Sequence, residues 1–252
     1  MSDRWLAPNL LRTDARMRLI CLPHAGAGAS AYRAWSQELP PDLQLCAVQL
    51  PGRENRLNER PADSTIRLVP ELLGGIRPYL DRPFVMFGHS MGALVAFELT
   101  RELRRLGLPQ PRHLFLSAHR APHLPNLLQP VHSLSRPDFV AELRRLEGTP
   151  DEVLTHEELM QIAEPILRAD FKLCETYEYV SGQPLDMPLS IFGGADDPNV
   201  QPDVLEPWRE HTRASMRLRI FPGGHLYPQQ QRAELVAAIL ADLRIDSVRL
   251  TI

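Results

Sequence analysis

The sequence lacks the features that mark disulfide-rich, membrane-spanning and nucleic-acid-binding proteins. Its 252 residues include only three cysteines, an odd and small number that gives no disulfide framework. No apolar run approaches the ~20 residues that a transmembrane helix needs, and the N-terminal residues do not resemble a signal peptide. The formal net charge of −3 removes the electrostatic basis for nucleic-acid binding. We therefore expect a cytoplasmic protein that has neither a membrane nor a nucleic acid as a partner.

Strands and helices alternate along most of the chain. Apolar runs, and at 216–221 an alternation of apolar residues with arginine, predict strands near 17–22, 43–49, 83–87, 113–118, 188–193 and 216–221. Helical segments are predicted near 30–39, 64–80, 90–106, 203–213 and 230–244. Such alternation is typical of an α/β fold in which helices cover both faces of a mostly parallel sheet. The length of the chain suits one domain of this kind.

The alternation stops between Ala118 and Pro188. Three helix starts there have plausible caps, namely Ser135 with Asp138, Thr149 with Pro150 and Glu152, and Thr155 with Glu158. We therefore predict an α/β core formed by residues 1–120 and 186–252, interrupted by a helical insertion at 121–185. An apolar helical stripe in the insertion, formed by Phe139, Leu143 and Leu146, is expected mainly to pack within it and in part to line a cavity.

The residues Gly88-His89-Ser90-Met91-Gly92 fit the pattern G-x-S-x-G. They follow the apolar run at 83–87 and precede a helix-forming segment at 91–106. A serine hydroxyl is a poor nucleophile at neutral pH, so it must stand on a tight strand-to-helix turn where a histidine can reach it. The order of strand, turn and helix indicates such an elbow, with Ser90 as the nucleophile. For His89 we predict packing or a structural hydrogen bond rather than proton transfer.

An acid and then a histidine should follow the nucleophile, each after a later strand. The strand near 188–193 runs into Gly193-Gly194-Ala195-Asp196-Asp197-Pro198, which offers two adjacent carboxylates. The strand near 216–221 leads to Pro222-Gly223-Gly224-His225. We predict that His225 is the general base and that Asp196 or Asp197 orients it.

Two backbone N–H groups should also face the oxyanion that forms when a carbonyl becomes tetrahedral. Met91 follows the nucleophile and supplies one, and the glycine-rich loop at 23–28, after the first strand, is predicted to supply the other from Ala25. A competing interpretation takes Gly26-Ala27-Gly28 as a dinucleotide fingerprint. However, position 31 is alanine and no acidic residue ends a following strand, so we predict no nucleotide cofactor. His113, His119 and His123 form no reliable zinc pattern, and we predict no metal site.

Six motifs, in order along the chain, resemble those of the type II thioesterases of polyketide and nonribosomal peptide synthesis. They are Pro23-His24-Ala25-Gly26, Leu50-Pro51-Gly52-Arg53-Glu54, Gly88-His89-Ser90-Met91-Gly92, Ser117-Ala118-His119-Arg120-Ala121-Pro122, Gly193-Gly194-Ala195-Asp196-Asp197 and Gly223-Gly224-His225. The resemblance implies an α/β-hydrolase fold in which the insertion at 121–185 is a lid over the nucleophile. It also implies Ser90, His225 and Asp197 as the catalytic residues, with Asp196 as the fallback acid. Ala25 and Met91 are implied as the oxyanion donors.

The implied reaction releases short acyl groups from the phosphopantetheine arm of an acyl or peptidyl carrier protein, through an acyl-Ser90 intermediate. A free-standing enzyme of this kind clears stalled or wrongly loaded acyl groups, needs no cofactor, and is expected to be a monomer. Two alternatives stay open, because a serine triad does not separate thioesters from esters. They are a small-molecule carboxylesterase and a catalytically silent interaction protein. The insertion has an alternative too, as a structural subdomain with no gating role.

Overall fold

A computed structural model describes residues 4–7, 15–127, 129–146 and 148–249, and six strands in these ranges form one sheet. The strands are β1 (Met17–Leu22), β2 (Leu43–Ala47), β3 (Phe84–His89), β4 (Leu114–Ser117), β5 (Leu189–Gly194) and β6 (Met216–Phe221). Their order across the sheet is β2-β1-β3-β4-β5-β6, and every neighbouring pair is parallel. The predicted α/β fold is confirmed.

Eight α-helices lie in the described ranges. They are α1 (Thr65–Ile76), α2 (Met91–Arg105), α3 (Arg136–Arg145), α4 (Asp151–Thr155), α5 (Glu157–Glu175), α6 (Pro202–Leu205), α7 (Tyr227–Gln230) and α8 (Arg232–Arg249). The helical segment predicted at 30–39 is instead a 3₁₀-helix, Ala29–Gln37, and that at 203–213 is α6 followed by a 3₁₀-helix, Glu206–His211. In the first of these, Ala29, Tyr32 and Trp35 are buried. This spacing of three residues puts the side chains on one face of a 3₁₀-helix.

Helices cover both faces of the sheet. On one face, α1 and α2 pack their apolar side chains against β1, β3 and β4 in a large buried cluster. On the other face, the 3₁₀-helix Ala29–Gln37 and α8 form a second cluster, in which Trp35, Phe87 and Ile239 are buried. Because both faces are covered, β1 to β5 are almost entirely buried and largely apolar in sequence. The edge strand β6 is only partly buried and alternates between apolar residues and arginine.

The strand order changes direction between β1 and β3. The chain passes from β1 to β2 at one edge of the sheet and then returns to β3 on the other side of β1. In open α/β sheets the loops beyond the carboxyl ends of the strands at such a point leave a crevice that binds ligands. The loop at 23–28 and the turn at Ser90 follow β1 and β3, so both lie at this point.

The segment between β4 and β5 carries α3, α4 and α5 and has an apolar cluster of its own. Its buried members are Val131, Phe139, Leu143, Leu154, Met160 and Leu167. This arrangement agrees with a helical insertion, whose limits at 121 and 185 stay a prediction. In the part of the chain that the structure describes, no helix is long and apolar enough to cross a membrane.

One of the three predicted caps in this segment is correct. The Ser135 side chain accepts a hydrogen bond from the N–H of Asp138 at the start of α3. The other two are wrong, because α4 begins after Pro150 and α5 begins after His156. Thr155 is the last residue of α4, and its hydroxyl donates to the carbonyl of Asp151, four residues back, so it does not cap the next helix.

Candidate active site

Ser90 occupies a strained turn between β3 and α2. Its φ of 53° and ψ of −119° are sparsely populated by non-glycine residues. The N–H of Ser90 donates to the carbonyl of Ser117 at 2.8 Å, which ties the turn to β4. A Cβ on Gly88 would lie 2.1 Å from the carbonyl oxygen of Gly92, and a Cβ on Gly92 would lie 2.1 Å from that of Leu22. The turn therefore needs glycine at both positions.

His225 links Ser90 to a carboxylate. It lies on the loop after β6, with Nε2 2.9 Å from Ser90 Oγ and Nδ1 2.6 Å from Asp197 Oδ2. The histidine side chain is 19% exposed, whereas that of Asp197 is fully buried. The structure thus brings together three predicted site residues, although Ser90 lies 135 positions before His225 in the chain.

The two adjacent aspartates after β5 have different partners. Asp197 Oδ1 accepts hydrogen bonds from the N–H groups of Asn199 and Val200, at 2.9 and 3.2 Å, which leaves Oδ2 for His225. Burial of Asp197 opposes its ionisation, but the bonds from His225 and from the two N–H groups outweigh burial and lower its pKa. Asp196 is exposed and accepts from the N–H of Gly223. Only Asp197 therefore has the geometry to orient His225.

The two predicted oxyanion donors lie beside Ser90. Ala25 and Met91 line the same cavity as the serine. Met91 is the first residue of α2, where an N–H has no acceptor within the helix. Ala25 belongs to a turn closed by a hydrogen bond from the N–H of Ala27 to the carbonyl of His24 at 3.1 Å. The positions of Ala25 and Met91 at the cavity beside Ser90 agree with their predicted role.

A cavity of about 250 Å³ opens above the serine. Its floor includes Ser90, His225 and the loop that carries Ala25. Much of the remaining lining comes from α3, from the residue that follows α3, and from α5. These contribute Leu143, Leu146, Leu167, Asp170, Phe171 and Cys174. Since most of these side chains are apolar, the cavity suits a short acyl chain.

Three further histidines surround His225, and the structure keeps them neutral. Burial, followed by the charges of His225 and Arg53, lowers the pKa of His24 to about 4. Burial and the charge of Arg120 lower the pKa of His119 to about 3. Burial also lowers the pKa of His89, whose Nδ1 pairs with Ser117 Oγ at 2.8 Å, as predicted for a structural hydrogen bond.

Two residues near the cavity have contacts that the sequence did not predict. Arg53 lies in a motif that carried the family resemblance but had no assigned role. Asp170 lies on α5, and both of its carboxylate oxygens accept hydrogen bonds from Arg53, at 2.6 and 2.8 Å. The two residues are 117 positions apart in the chain, so no local pattern could have paired them.

The described ranges contain no group of three or more histidine, cysteine, aspartate or glutamate side chains placed to hold a metal ion. Cys21, Cys46 and Cys174 are free thiols. Cys21 and Cys46 are buried in β1 and β2.

Serine, aspartate and histidine follow one another along the chain, each beyond the end of a parallel strand, and this order defines an α/β-hydrolase. Within that class the chain belongs to the thioesterase domain family, whose model matches residues 17–243.

Known proteins of similar sequence and structure agree with this assignment. The chain is 39% identical over 243 residues to the gramicidin S biosynthesis protein GrsT of Aneurinibacillus migulanus, covering 96% of this chain and 95% of GrsT. It is 38% identical to the thioesterase PikA5 of Streptomyces venezuelae, over 93% of this chain and 83% of PikA5. The type II thioesterase BorB from the borrelidin biosynthetic cluster superposes with a TM-score of 0.86 at 38% identity, covering 96% of this chain and 98% of BorB.

Proposed function

We propose that this chain is a type II thioesterase that hydrolyses short acyl groups from phosphopantetheinyl carrier proteins of a polyketide or nonribosomal peptide synthase. The observation that carries the proposal is the hydrogen-bonded series Ser90, His225 and Asp197 at the floor of a largely apolar cavity. The relatives support the choice of thioester, since GrsT takes part in gramicidin S biosynthesis and BorB is a type II thioesterase.

In the first half of the reaction, Ser90 Oγ attacks the thioester carbonyl carbon while His225 Nε2 takes the hydroxyl proton. Asp197 accepts the hydrogen bond from Nδ1–H and stabilises the imidazolium that forms. The carbonyl oxygen becomes an oxyanion and accepts from the N–H groups of Ala25 and Met91. When the tetrahedral intermediate collapses, the carbon–sulfur bond breaks, the leaving thiolate takes the proton from His225, and the acyl group stays on Ser90.

In the second half, water replaces the thiol. His225 removes a proton from the water as its oxygen attacks the acyl-Ser90 carbonyl, and the same two N–H groups receive the oxyanion. Collapse then breaks the ester bond and returns the proton to Ser90 Oγ. The products are a free carboxylic acid and the thiol of the carrier arm.

The cavity supports a short acyl group as substrate, because its volume of about 250 Å³ is small. We propose that the segment at 121–185 is a lid, since residues of α3 and α5 line the cavity that contains Ser90. Every step uses side chains and backbone groups of this chain, so the proposal includes no bound cofactor. The phosphopantetheine arm arrives with the carrier protein, which is the proposed partner of a monomeric enzyme.

The test compares hydrolysis of propionyl carrier protein, propionyl-coenzyme A and a matched propionyl ester by the wild type and by Ser90→Ala. We expect the wild type to favour the carrier-bound group in kcat/KM. Ser90→Ala should lose about 10⁴-fold or more of the activity, because the covalent route is removed. Mass spectrometry of quenched wild type should find the acyl group on the peptide that contains Ser90.

Ser36→Ala is the matched control, because Ser36 is exposed and does not line the cavity. It should match the wild type on all three substrates. A preference for the free ester would move the function to a carboxylesterase. No turnover on any substrate, together with no labelling of Ser90 by a fluorophosphonate, would favour the interaction protein instead.

A further inference from the structure

One carboxylate of α5 holds the loop that carries Ala25. We call this loop, residues 23–28, the oxyanion loop. Asp170 Oδ2 accepts a hydrogen bond from the N–H of Gly26 at 2.7 Å, one residue after Ala25. The same oxygen accepts from Arg53 Nη1 at 2.6 Å, and Oδ1 accepts from Arg53 Nη2 at 2.8 Å. Asp170 therefore has both oxygens occupied by groups that lie outside its own helix.

Arg53 also bonds to the oxyanion loop directly. Its Nη1 also donates to the carbonyl of Ala27 at 3.2 Å, so the guanidinium bonds to the oxyanion loop and to Asp170 at once. The side chains of Arg53 and Asp170 are only 4% and 2% exposed. A buried ion pair is costly unless its geometry is good and its remaining polar atoms are bonded. Apolar side chains could pack α5 against the core equally well without this cost. The ion pair is therefore better explained by the precise position that its hydrogen bonds give the oxyanion loop.

A second side chain of α5 contacts the same loop. Leu167 lies three residues before Asp170 and hence on the same face of the helix. A Cβ built on Gly26 would lie 2.7 Å from Leu167 Cδ2. Gly26 also has a φ of 78°, a left-handed conformation that favours glycine. The backbone next to Ala25 is thus held by an apolar contact and by a charge-assisted hydrogen bond, both from α5.

We propose that Asp170 is a positioning residue. Together with Arg53, it fixes the oxyanion loop against α5, so that the Ala25 N–H points at the oxyanion. This inference deepens the proposed function and rests on it, since it assumes that Ala25 is an oxyanion donor. Asp170 touches no reacting atom and acts through Gly26 and the loop. Its effect should therefore fall on the transition state rather than on the binding of the acyl chain.

The experiment measures kcat and KM for hydrolysis of propionyl carrier protein by the wild type, Asp170→Asn and Arg53→Lys. It also measures inhibition by a boronic acid, which forms a tetrahedral adduct with the serine. Asp170→Asn should lower kcat by about 10- to 100-fold, less than the ~10²–10³-fold cost of losing an oxyanion donor outright. Its KM should stay within about threefold, and boronic-acid affinity should fall by the same factor as kcat.

The matched control is Lys172→Gln. Lys172 lies on the same helix and forms an exposed ion pair with Asp63 at 2.8 Å, which also joins α5 to the core but does not touch the oxyanion loop. It should leave kcat, KM and boronic-acid affinity within about twofold, as expected for an exposed ion pair. Thermal unfolding of each variant establishes that it is folded at the assay temperature.

The inference is overturned if Asp170→Asn keeps the kcat and boronic-acid affinity of the wild type, or if it changes only KM or chain-length preference. In the latter case Asp170 is simply part of the cavity wall. Should Asp170→Asn fail to fold, the same measurements of kcat, KM and boronic-acid affinity on Arg53→Lys test the inference. Lysine keeps the positive charge but lacks the two guanidinium nitrogens that bond to Asp170. Failure of the proposed function is distinguishable, since the wild type would then show no Ser90-dependent hydrolysis of the thioester.

Discussion

Asp196 and Asp197 are adjacent in the chain but have opposite environments. Asp197 is buried and hydrogen-bonded to His225, whereas Asp196 is exposed and holds the N–H of Gly223. Successive side chains after a strand point in different directions, so only one of the two can reach the histidine. The lowered pKa of Asp197 keeps it ionised, as a group that stabilises an imidazolium must be.

We expect Asp197→Asn to lower kcat about 10⁴-fold, because an amide at this position favours the wrong tautomer of His225. Asp196→Asn is the control and should stay within about threefold, since an asparagine oxygen still accepts from Gly223. Steady-state hydrolysis of propionyl carrier protein by both variants measures the difference. Similar losses in the two variants would contradict the assignment of the acid.

The sequence predicted those parts of the site that are encoded locally. Ser90 and His225 each lie in a short motif beyond a strand, and chain order then suffices to pair them. The choice of Asp197 over Asp196 came from family resemblance, and its physical reason is a hydrogen bond visible only in three dimensions. Asp170 and Gly26 are 144 positions apart in the chain, and no local sequence pattern around either residue indicates their hydrogen bond. Long-range polar contacts of this kind could not be predicted from the sequence.

At the scale of elements, α3 and α5 decide the shape of the cavity. Leu146 follows the last turn of α3, is half-buried and lines the cavity. Leu159 on α5 belongs to the same segment, but it is 43% exposed and does not line the cavity. The two leucines therefore separate an effect on cavity volume from an effect on the segment as a whole.

We expect Leu146→Trp to shorten the preferred acyl chain, because the larger side chain fills space that a longer acyl group would use. The ratio of kcat/KM for octanoyl over propionyl carrier protein should fall by about 10-fold or more, since a single methylene in an apolar pocket is worth ~1–3 kcal/mol. Leu159→Trp should leave the ratio unchanged. Equal ratios in both variants would show that α3 does not bound the acyl site, and would favour a structural subdomain over a lid.

The strands could be predicted to within two residues, because β1 to β5 are largely apolar runs bounded by turns and β6 alternates between apolar and polar residues. The form of the helices was harder to predict. Pro207 interrupts hydrogen bonding after α6, and the chain continues as a 3₁₀-helix there rather than as one long helix. Neither α4, which begins at Asp151, nor α5, which begins at Glu157, has a side-chain cap, so a cap pattern could not place their starts.

Across the whole molecule, a buried carboxylate joins the last described helix to the sheet. Asp242 on α8 is fully buried and accepts from both Nη atoms of Arg219 on β6, at 2.5 and 2.6 Å. Ser190 on β5 donates to it at 2.6 Å, and His113 beside β4 pairs with Ser190 Oγ at 2.8 Å. Arg217 Nε lies 3.6 Å away. This network connects α8 to three neighbouring segments of the sheet, so α8 is expected to unfold together with it.

Acid should weaken this connection only at a pH below the ordinary pKa range of an exposed aspartate. Burial of Asp242 opposes its ionisation, but the bonds from Arg219 and Ser190 and the nearby positive charges outweigh burial and lower its pKa. Since the folded-state pKa lies below the ~3.9 of an unfolded aspartate, the unfolded chain binds more protons between the two values. The stabilisation is therefore complete above about pH 5 and is lost as the pH falls through the folded-state pKa.

Urea unfolding of the wild type and Asp242→Asn at pH 7, 5 and 3 measures this contribution. At pH 7 the variant should be less stable by about 2 to 3 kcal/mol, below the ~3–5 kcal/mol of a fully buried pair because Arg219 is 33% exposed. The difference should persist at pH 5 and shrink at pH 3, where the aspartate of the unfolded wild type, with a pKa of ~3.9, is mostly protonated. The control Asp186→Asn removes an exposed partner of Arg213 and should have little effect at any of the three values. A wild-type advantage over Asp242→Asn that is equally large at pH 3 would mean that packing of the side chain, and not its charge, joins α8 to the sheet.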